Sequence, residues 1–377
     1  MNRAVLVTGM AWSTALGTKL DEVWSRLLSG ESGIREVPSG HQLRNRLAAP
    51  IDFPPADWAP ARRQVALAAD TLTRALDDAG LTVESADPWL VAGTSYGAHL
   101  DDGDTSSLQR WAVDTAAAVG ITRPPVSLST ACSSGSDAIL VAAQLIESGA
   151  TEVCVCGGAD ILTAAKRLGH TALGTMSPTL LRSFDQRCDG TLLGEGAGFL
   201  VLESAESAMR RGAGGYAVFR GGGASNDAAG MTAPDPSGDS VLLATHRSLA
   251  DSGLGLDDVA VISAHGSGTP VNDAVEALSF TRLFPGERRP MVFATKGAFG
   301  HTLGATGAIE AIALVLALRD RRVPPVYGLA DRPRSCPLPA PGRGPSGIDE
   351  GVGVSLTLGF GGFNTSLVFE GVPGDLG

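Results

Sequence analysis

In Pro125-Val126-Ser127-Leu128-Ser129-Thr130-Ala131-Cys132-Ser133-Ser134-Gly135 the first six residues alternate apolar and small polar as a buried strand does, and downstream Asp137 to Ile146 has the composition of a core-facing helix. The turn between them falls on Cys132. A thiol at a helix start faces unpaired backbone N–H groups at the positive end of the helix dipole. That setting favours thiolate and is expected to bring the pKa from about 8.5 into a range of about 3.5–7.5. The competing reading makes Cys132 a small buried hydrophobe, the common fate of a free cysteine, and on local spacing alone it weighs more.

Working outward, short apolar runs recur along the chain, often ending near glycine: 4–7, 89–93, 153–157, 259–262 and 291–294. Several are followed by helical stretches, which predicts a layered α/β fold with buried strands and function at the strand ends. A glycine-rich, strand-like segment closes each half, at 194–203 and 353–370. The halves read as loose copies, 1–206 and 207–377, with a helix-like segment at 207–212 beside the junction. Residues 323–345, rich in Pro, Arg and Gly, are expected to form an irregular surface loop.

With 377 residues, 44% of them hydrophobic, the chain can bury a large core in two subdomains or one layered unit. Its net charge of −11 argues against broad attraction to nucleic acid or anionic membrane. Arginines at 44 and 46, 62 and 63, 210 and 211, 288 and 289, and 319, 321 and 322 are local basic spots, read first as solvated surface. Five cysteines, at 132, 154, 156, 188 and 336, form neither a disulfide framework nor a CxxC metal pair. They suit a reducing cytoplasm. Cys154 and Cys156 are expected on one face of a strand, as core. No stretch approaches the roughly 20 apolar residues of a membrane span, and the N-terminal run is too short for a signal peptide.

Two histidines stand in comparable settings. His265 follows the apolar run 259–262 in the tight loop His265-Gly266-Ser267-Gly268-Thr269, and His301 ends Lys296-Gly297-Ala298-Phe299-Gly300-His301, ahead of a helix expected from Thr302 to Leu318. Either alone reads equally well as a polar residue satisfied at a turn. With Cys132 they make a nucleophile with two candidate bases or hydrogen-bond donors.

These three segments, in this order, resemble the β-ketoacyl synthases, the condensing enzymes of fatty-acid and polyketide assembly. Thr130 to Ser134 matches the Thr-Ala-Cys-Ser-Ser motif. Residues 265–269 match His-Gly-Thr-Gly-Thr with Ser267 in place of the first threonine, and Lys296 to His301 matches Lys-x-x-x-Gly-His. Asp273, Glu276, the Gly-Glu-Gly-Ala-Gly run at 194–198, Thr232-Ala233-Pro234 and the Gly-Phe-Gly-Gly-x-Asn run at 359–364 add to the match, which spans about Ala4 to Phe369.

The resemblance implies a thiolase-like α/β fold of two similar halves in an αβαβα arrangement, the first carrying the nucleophilic cysteine and the second both histidines. It implies decarboxylative Claisen condensation: Cys132 takes an acyl group from the phosphopantetheine of an acyl carrier protein, and a malonyl-type extender then loses CO2. His265 and His301 would donate to the enolate oxygen, and the backbone N–H groups of Cys132 and Phe360 would hold the later oxyanion. Phe360 resembles the family's gating phenylalanine. Lys296 is expected as a buried partner of Glu276, with Asp273 behind the histidines. No resident cofactor or metal is implied. The family pairs through the edge of its sheet beside the cysteine strand, so the resemblance implies a homodimer or a heterodimer with a chain-length factor.

The chain departs from the family at Cys188-Asp189-Gly190-Thr191, where Arg-Asp-Gly-Phe is common, and in a short segment between Tyr96 and Cys132. Both departures point to a specialised pathway and leave the acyl chain length open. The rivals are a catalytically silent chain-length factor, which lacks the nucleophile, and a synthase-like acyltransferase that forms a C–O or C–N bond without decarboxylation. Thiolases use a further C-terminal cysteine, where this chain has Phe360 and Phe363. Condensing enzymes primed by acyl-CoA carry Asn in place of one histidine, so His301 favours the carrier-dependent branch.

Overall fold

A computed structural model of the protein describes residues 4–287, 289–333, 340–341 and 343–372; Arg288 and Cys336 lie outside them. The apolar runs and glycine-rich segments fold as strands: β1 (Val5–Ser13), β2 (Trp89–Gly93), β3 (Val126–Leu128), β4 (Val153–Asp160), β5 (Gly196–Ser204), β6 (Ala217–Asn226), β7 (Val259–Ser263), β8 (Met291–Phe293), β9 (Val352–Gly359) and β10 (Phe363–Gly371). They hydrogen-bond in the order β8-β7-β9-β10-β6-β1-β5-β4-β2-β3.

Read outward from the centre, one side runs β1-β5-β4-β2-β3 and the other β6-β10-β9-β7-β8, the same order with each number raised by five. Strand directions repeat too. The two inner pairs on each side are antiparallel and the two outer pairs parallel. The sides meet through a short antiparallel pairing of residues 5–7 with 217–219.

Helices set the layers. α1 (Pro60–Asp78) covers β1, β4 and β5, while α3 (Asp239–Ser252) covers β6 and β10 and packs beside α4 (Pro270–Leu283). Between the two sheet faces lie α2 (Ser134–Glu147) and α5 (Thr306–Asp320), each touching strands from both sides and each other. The result is the αβαβα order. A middle-layer helix has no solvent face, which is why α5 is buried at every position from Thr306 to Leu318 and apolar almost all round.

α2 and α5 approach closely because glycine stands at the crossing. A Cβ on Gly307 would lie 2.0 Å from Ser136 Oγ, and one on Gly135 2.9 Å from Gly304 O. Both helices are entered the same way: Ala131 and Leu303 each have φ of 53° and each opens a 3-10 turn, Ala131–Ser133 and Leu303–Ala305. Thr130 to Gly135 and Thr302 to Gly307 are thus structural counterparts. This corrects the expected helix start at Thr302, since that residue belongs to the turn and α5 begins at Thr306.

Other expectations are refined. Val323 and Val326 are buried, so the expected surface loop begins as part of the core. Cys154 and Cys156 are fully buried on β4. The arginine spots are largely engaged within the chain: Arg63 is buried against Glu195, Arg210 pairs with Glu152, Arg211 with Glu203 and Arg319 with Asp320. Among the described residues, no helix is long and apolar enough to cross a membrane.

Candidate active site

The two equivalent helix entries bring the chemistry together. Cys132 occupies the turn before α2, His301 lies directly before the turn leading to α5, and His265 follows β7. Cys132 Sγ lies 3.1 Å from His301 Nε2. The two imidazole rings stand edge to face at a centroid distance of 5.3 Å. All three side chains are buried and line a cavity of about 230 Å³ together with Phe360, His170 and Thr191.

The partners of the histidines decide what they can do. The Leu303 backbone N–H donates to His301 Nδ1 at 3.2 Å, so that nitrogen is the acceptor and Nε2 carries the hydrogen. Lys296 Nζ lies 3.1 Å from His265 Nδ1 and imposes the same tautomer there. Burial first, and the Lys296 charge second, hold both imidazoles well below the usual histidine range. Both rings are therefore neutral and present Nε2–H to the cavity. Of the two roles left open by sequence, base and donor, the geometry selects donor.

Lys296 does not pair with Glu276 as expected. Its ammonium donates to the His265 carbonyl and to Glu310 Oε1, both of them inside the core. Glu276 instead accepts from the backbone N–H groups of His265 and Gly266, each at 2.7 Å, and from Asn272 Nδ2 at 2.7 Å. It fixes the loop carrying His265 by backbone contacts. Asp273 binds the N–H groups of Phe184 at 2.7 Å and Gly268 at 3.1 Å, closing the same loop from outside. Burial raises Asp273 to about 6, Glu276 to about 8 and Glu310 to about 7.

The thiol also departs from expectation. Burial pushes Cys132 up to about 11, and the opposing pull of Lys296 and of a backbone hydrogen bond from Phe360 only partly offsets it. A helix start lowers a thiol's pKa when water still reaches the sulfur; here desolvation is the larger effect.

Three contributors escaped the sequence reading. Glu310 is the one acid in the run Ala305 to Leu318, a visible signal in hindsight, because an isolated charge on a buried helix needs a partner. Asp137, in the first turn of α2, accepts from Thr130 Oγ1 at 2.5 Å, Ser133 Oγ at 2.8 Å and Thr365 Oγ1 at 2.5 Å, tying the cysteine turn to β10. His170 stacks on Phe360 at 5.7 Å between centroids, and its Nδ1 lies 2.9 Å from Thr175 Oγ1. Nothing in its flanking sequence signals that contact.

The Cys132, His265 and His301 donor atoms lie within 4.8 Å of one another, a spacing a metal ion could use. The buried Lys296 ammonium behind His265 opposes a second cation there.

Two family models match the chain in succession: "Beta-ketoacyl synthase, N-terminal domain" over residues 2–208 and "Beta-ketoacyl synthase, C-terminal domain" over residues 216–330. The chain belongs to the β-ketoacyl synthase family. Its members are acyltransferases, and the αβαβα architecture is the thiolase-like one. A 3-oxoacyl-[acyl-carrier-protein] synthase 2 of Vibrio harveyi is 31% identical, with 98% of each chain covered. A solved β-ketoacyl synthase from Burkholderia phymatum is similar at 31% identity and a TM-score of 0.88, covering 99% of this chain and 100% of that one. The solved ishigamide ketosynthase/chain length factor is similar at 29% identity and a TM-score of 0.88, with the same coverage.

Proposed function

We propose that this chain is a β-ketoacyl-[acyl-carrier-protein] synthase performing decarboxylative Claisen condensation. The observation that carries the reading is the convergence of a buried cysteine and two Nε2–H donors on one cavity. Residues 1–206 supply the nucleophile and residues 207–377 both histidines.

Cys132 Sγ attacks the thioester carbonyl of an acyl group on a carrier protein; the new thioester forms on Sγ, and the thiol proton leaves with the displaced pantetheine sulfur. A malonyl-carrier then enters. As its C–CO2 bond breaks, the electron pair becomes an enolate whose oxygen accepts from His265 and His301. Removing one such donor typically costs about 10²–10³ in rate. The enolate carbon attacks the Cys132 thioester, and the oxyanion rests on the backbone N–H groups of Cys132 and Phe360 until Sγ is expelled. Lys296, Glu310, Glu276 and Asp273 position the donors and transfer no proton.

The reading places the reaction in the cytoplasm and needs no resident cofactor, since both substrates arrive on phosphopantetheine. The chain works as one half of a dimer, with a second copy or a chain-length factor as its mate. Thr191 and the short segment after Tyr96 support a specialised polyketide or fatty-acid-like pathway. Incubation with acyl-carrier and malonyl-carrier proteins tests the reading by mass spectrometry of the protein and by CO2 release. Acyl mass on Cys132→Ala, or transfer to an alcohol or amine with no CO2 released, overturns it.

A further inference from the structure

Among the described residues, one residue lining the catalytic cavity carries a buried hydroxyl with no partner. Thr191 is 2% exposed and lines the cavity with Cys132 and both histidines, yet its Oγ1 finds no hydrogen-bond partner among the described residues. An orphaned buried hydroxyl is costly, which makes it informative when it borders a ligand cavity. The backbone of Thr191 is fixed on both sides: its N–H donates to Thr175 O at 2.9 Å and its carbonyl accepts from Ser177 N at 2.7 Å.

Its place relative to the two histidines identifies which part of the substrate it meets. Two residues on, Leu193 bridges His301, and the preceding Gly190 donates to Gly268 O at 3.0 Å in the His265 loop. Thr191 therefore sits on the short segment joining the two donors, beside the substrate atoms those donors hold. In the proposed reaction that is the extender, whose carboxylate lies one carbon beyond its thioester carbonyl.

Entering this cavity strips the carboxylate of water, and the neutral histidines are committed to the carbonyl oxygen. Asp189, the nearby acid, has its oxygens turned to the hydroxyls of Ser177 at 2.5 Å and Thr179 at 2.7 Å. We infer that the Thr191 hydroxyl donates to the carboxylate of the malonyl extender and selects a carboxylated extender over an unsubstituted acetyl group. This rests on the condensation reading above and adds a determinant of extender choice. The negative charge leaves that site as CO2 forms, so the bond strengthens binding more than it accelerates the chemical step.

The test uses carrier protein charged with malonyl or acetyl through an amide, nitrogen replacing the thioester sulfur so that decarboxylation is suppressed. Binding to the full-length protein is measured by titration. Wild type is expected to prefer the malonyl probe about tenfold or more, as for a hydrogen bond to a charged group. Thr191→Val should bring the preference close to one without weakening the acetyl probe, and Thr191→Ser should restore it. With the natural thioester, Thr191→Val should raise KM without lowering kcat. A wild type indifferent to the carboxylate, or a Thr191→Val variant that keeps the preference, overturns the inference. Absence of CO2 release from the thioester would instead overturn the condensation reading, and the titration reads independently of it.

Discussion

The ammonium of Lys296 lies 3.1 Å from Nδ1 of His265 and so keeps that nitrogen the acceptor, leaving the hydrogen on Nε2 toward the cavity. In Lys296→Met this constraint is gone and the ring is free to turn its acceptor toward the enolate. CO2 release from malonyl-carrier protein should fall by about 10²–10³, the usual loss for one oxyanion donor. Acylation of Cys132 should fall much less, because His301 and the Phe360 N–H still face the sulfur. The variant also strands Glu310 in the core, a change of about 3–5 kcal/mol when one member of a buried pair is removed. Lys296→Met combined with Glu310→Gln should recover stability in urea while CO2 release stays low; recovery of both would make the lysine purely structural.

The Cys132 thiol should titrate late. Because burial raises it to about 11, its thiolate fraction at pH 7 is small and grows through the alkaline range. Alkylation by iodoacetamide, followed by mass spectrometry at Cys132, should accelerate from pH 7 to pH 10 without reaching a plateau. Losing the Lys296 charge should move the profile to higher pH, since that charge favours thiolate. A plateau below pH 8 would show that the helix start outweighs desolvation.

That contrast marks where sequence reasoning stops. The strands and the order of Cys132, His265 and His301 are local or motif properties, and period and spacing carry them. The balance of fields on Cys132 depends on how completely α2 and α5 exclude water, which no window around residue 132 records. The partner of Lys296 was misjudged for a related reason. Glu276 lies close along the chain to His265, whereas Glu310 reaches the lysine only because the turn at 302–305 folds α5 back over residue 296. The role of Thr191 was visible only as a missing ring; its unpartnered hydroxyl is a property of packing.

Stability should decline as pH rises through neutrality. Glu276 at about 8 and Glu310 at about 7 bind protons more tightly in the folded chain than unfolded carboxylates near 4.5. Between those limits the folded state holds more protons, so unfolding free energy falls with rising pH. His265 and His301, held below their ordinary range, act in the opposite sense only up to about pH 6.5. From pH 6.5 to 8 the carboxylate slope stands alone, and urea midpoints should drop over that interval. Glu276→Gln should flatten the slope; an unchanged slope would remove Glu276 as its source.

The glycine at the crossing of the two central helices links packing to catalysis. In Gly307→Ala the new methyl would meet Ser136 Oγ at 2.0 Å, and Ser136 is held in place by Thr357 Oγ1 at 2.9 Å. The helices must separate, at a cost of about 1–3 kcal/mol for overpacking. Alanine's better helix propensity returns at most about 1 kcal/mol. Gly286→Ala, where a Cβ meets open space, is the control and should stay within about 0.5 kcal/mol of wild type. The functional effect should exceed the stability effect. Ser136 lies four residues after Cys132 and Gly307 six after His301, so parting the helices lengthens the 3.1 Å contact between Sγ and Nε2. Cys132 acylation measured well below the shifted urea midpoint should therefore still be slowed in Gly307→Ala and normal in Gly286→Ala. Equal rates in both would mean that the two helix starts hold their geometry independently of the crossing.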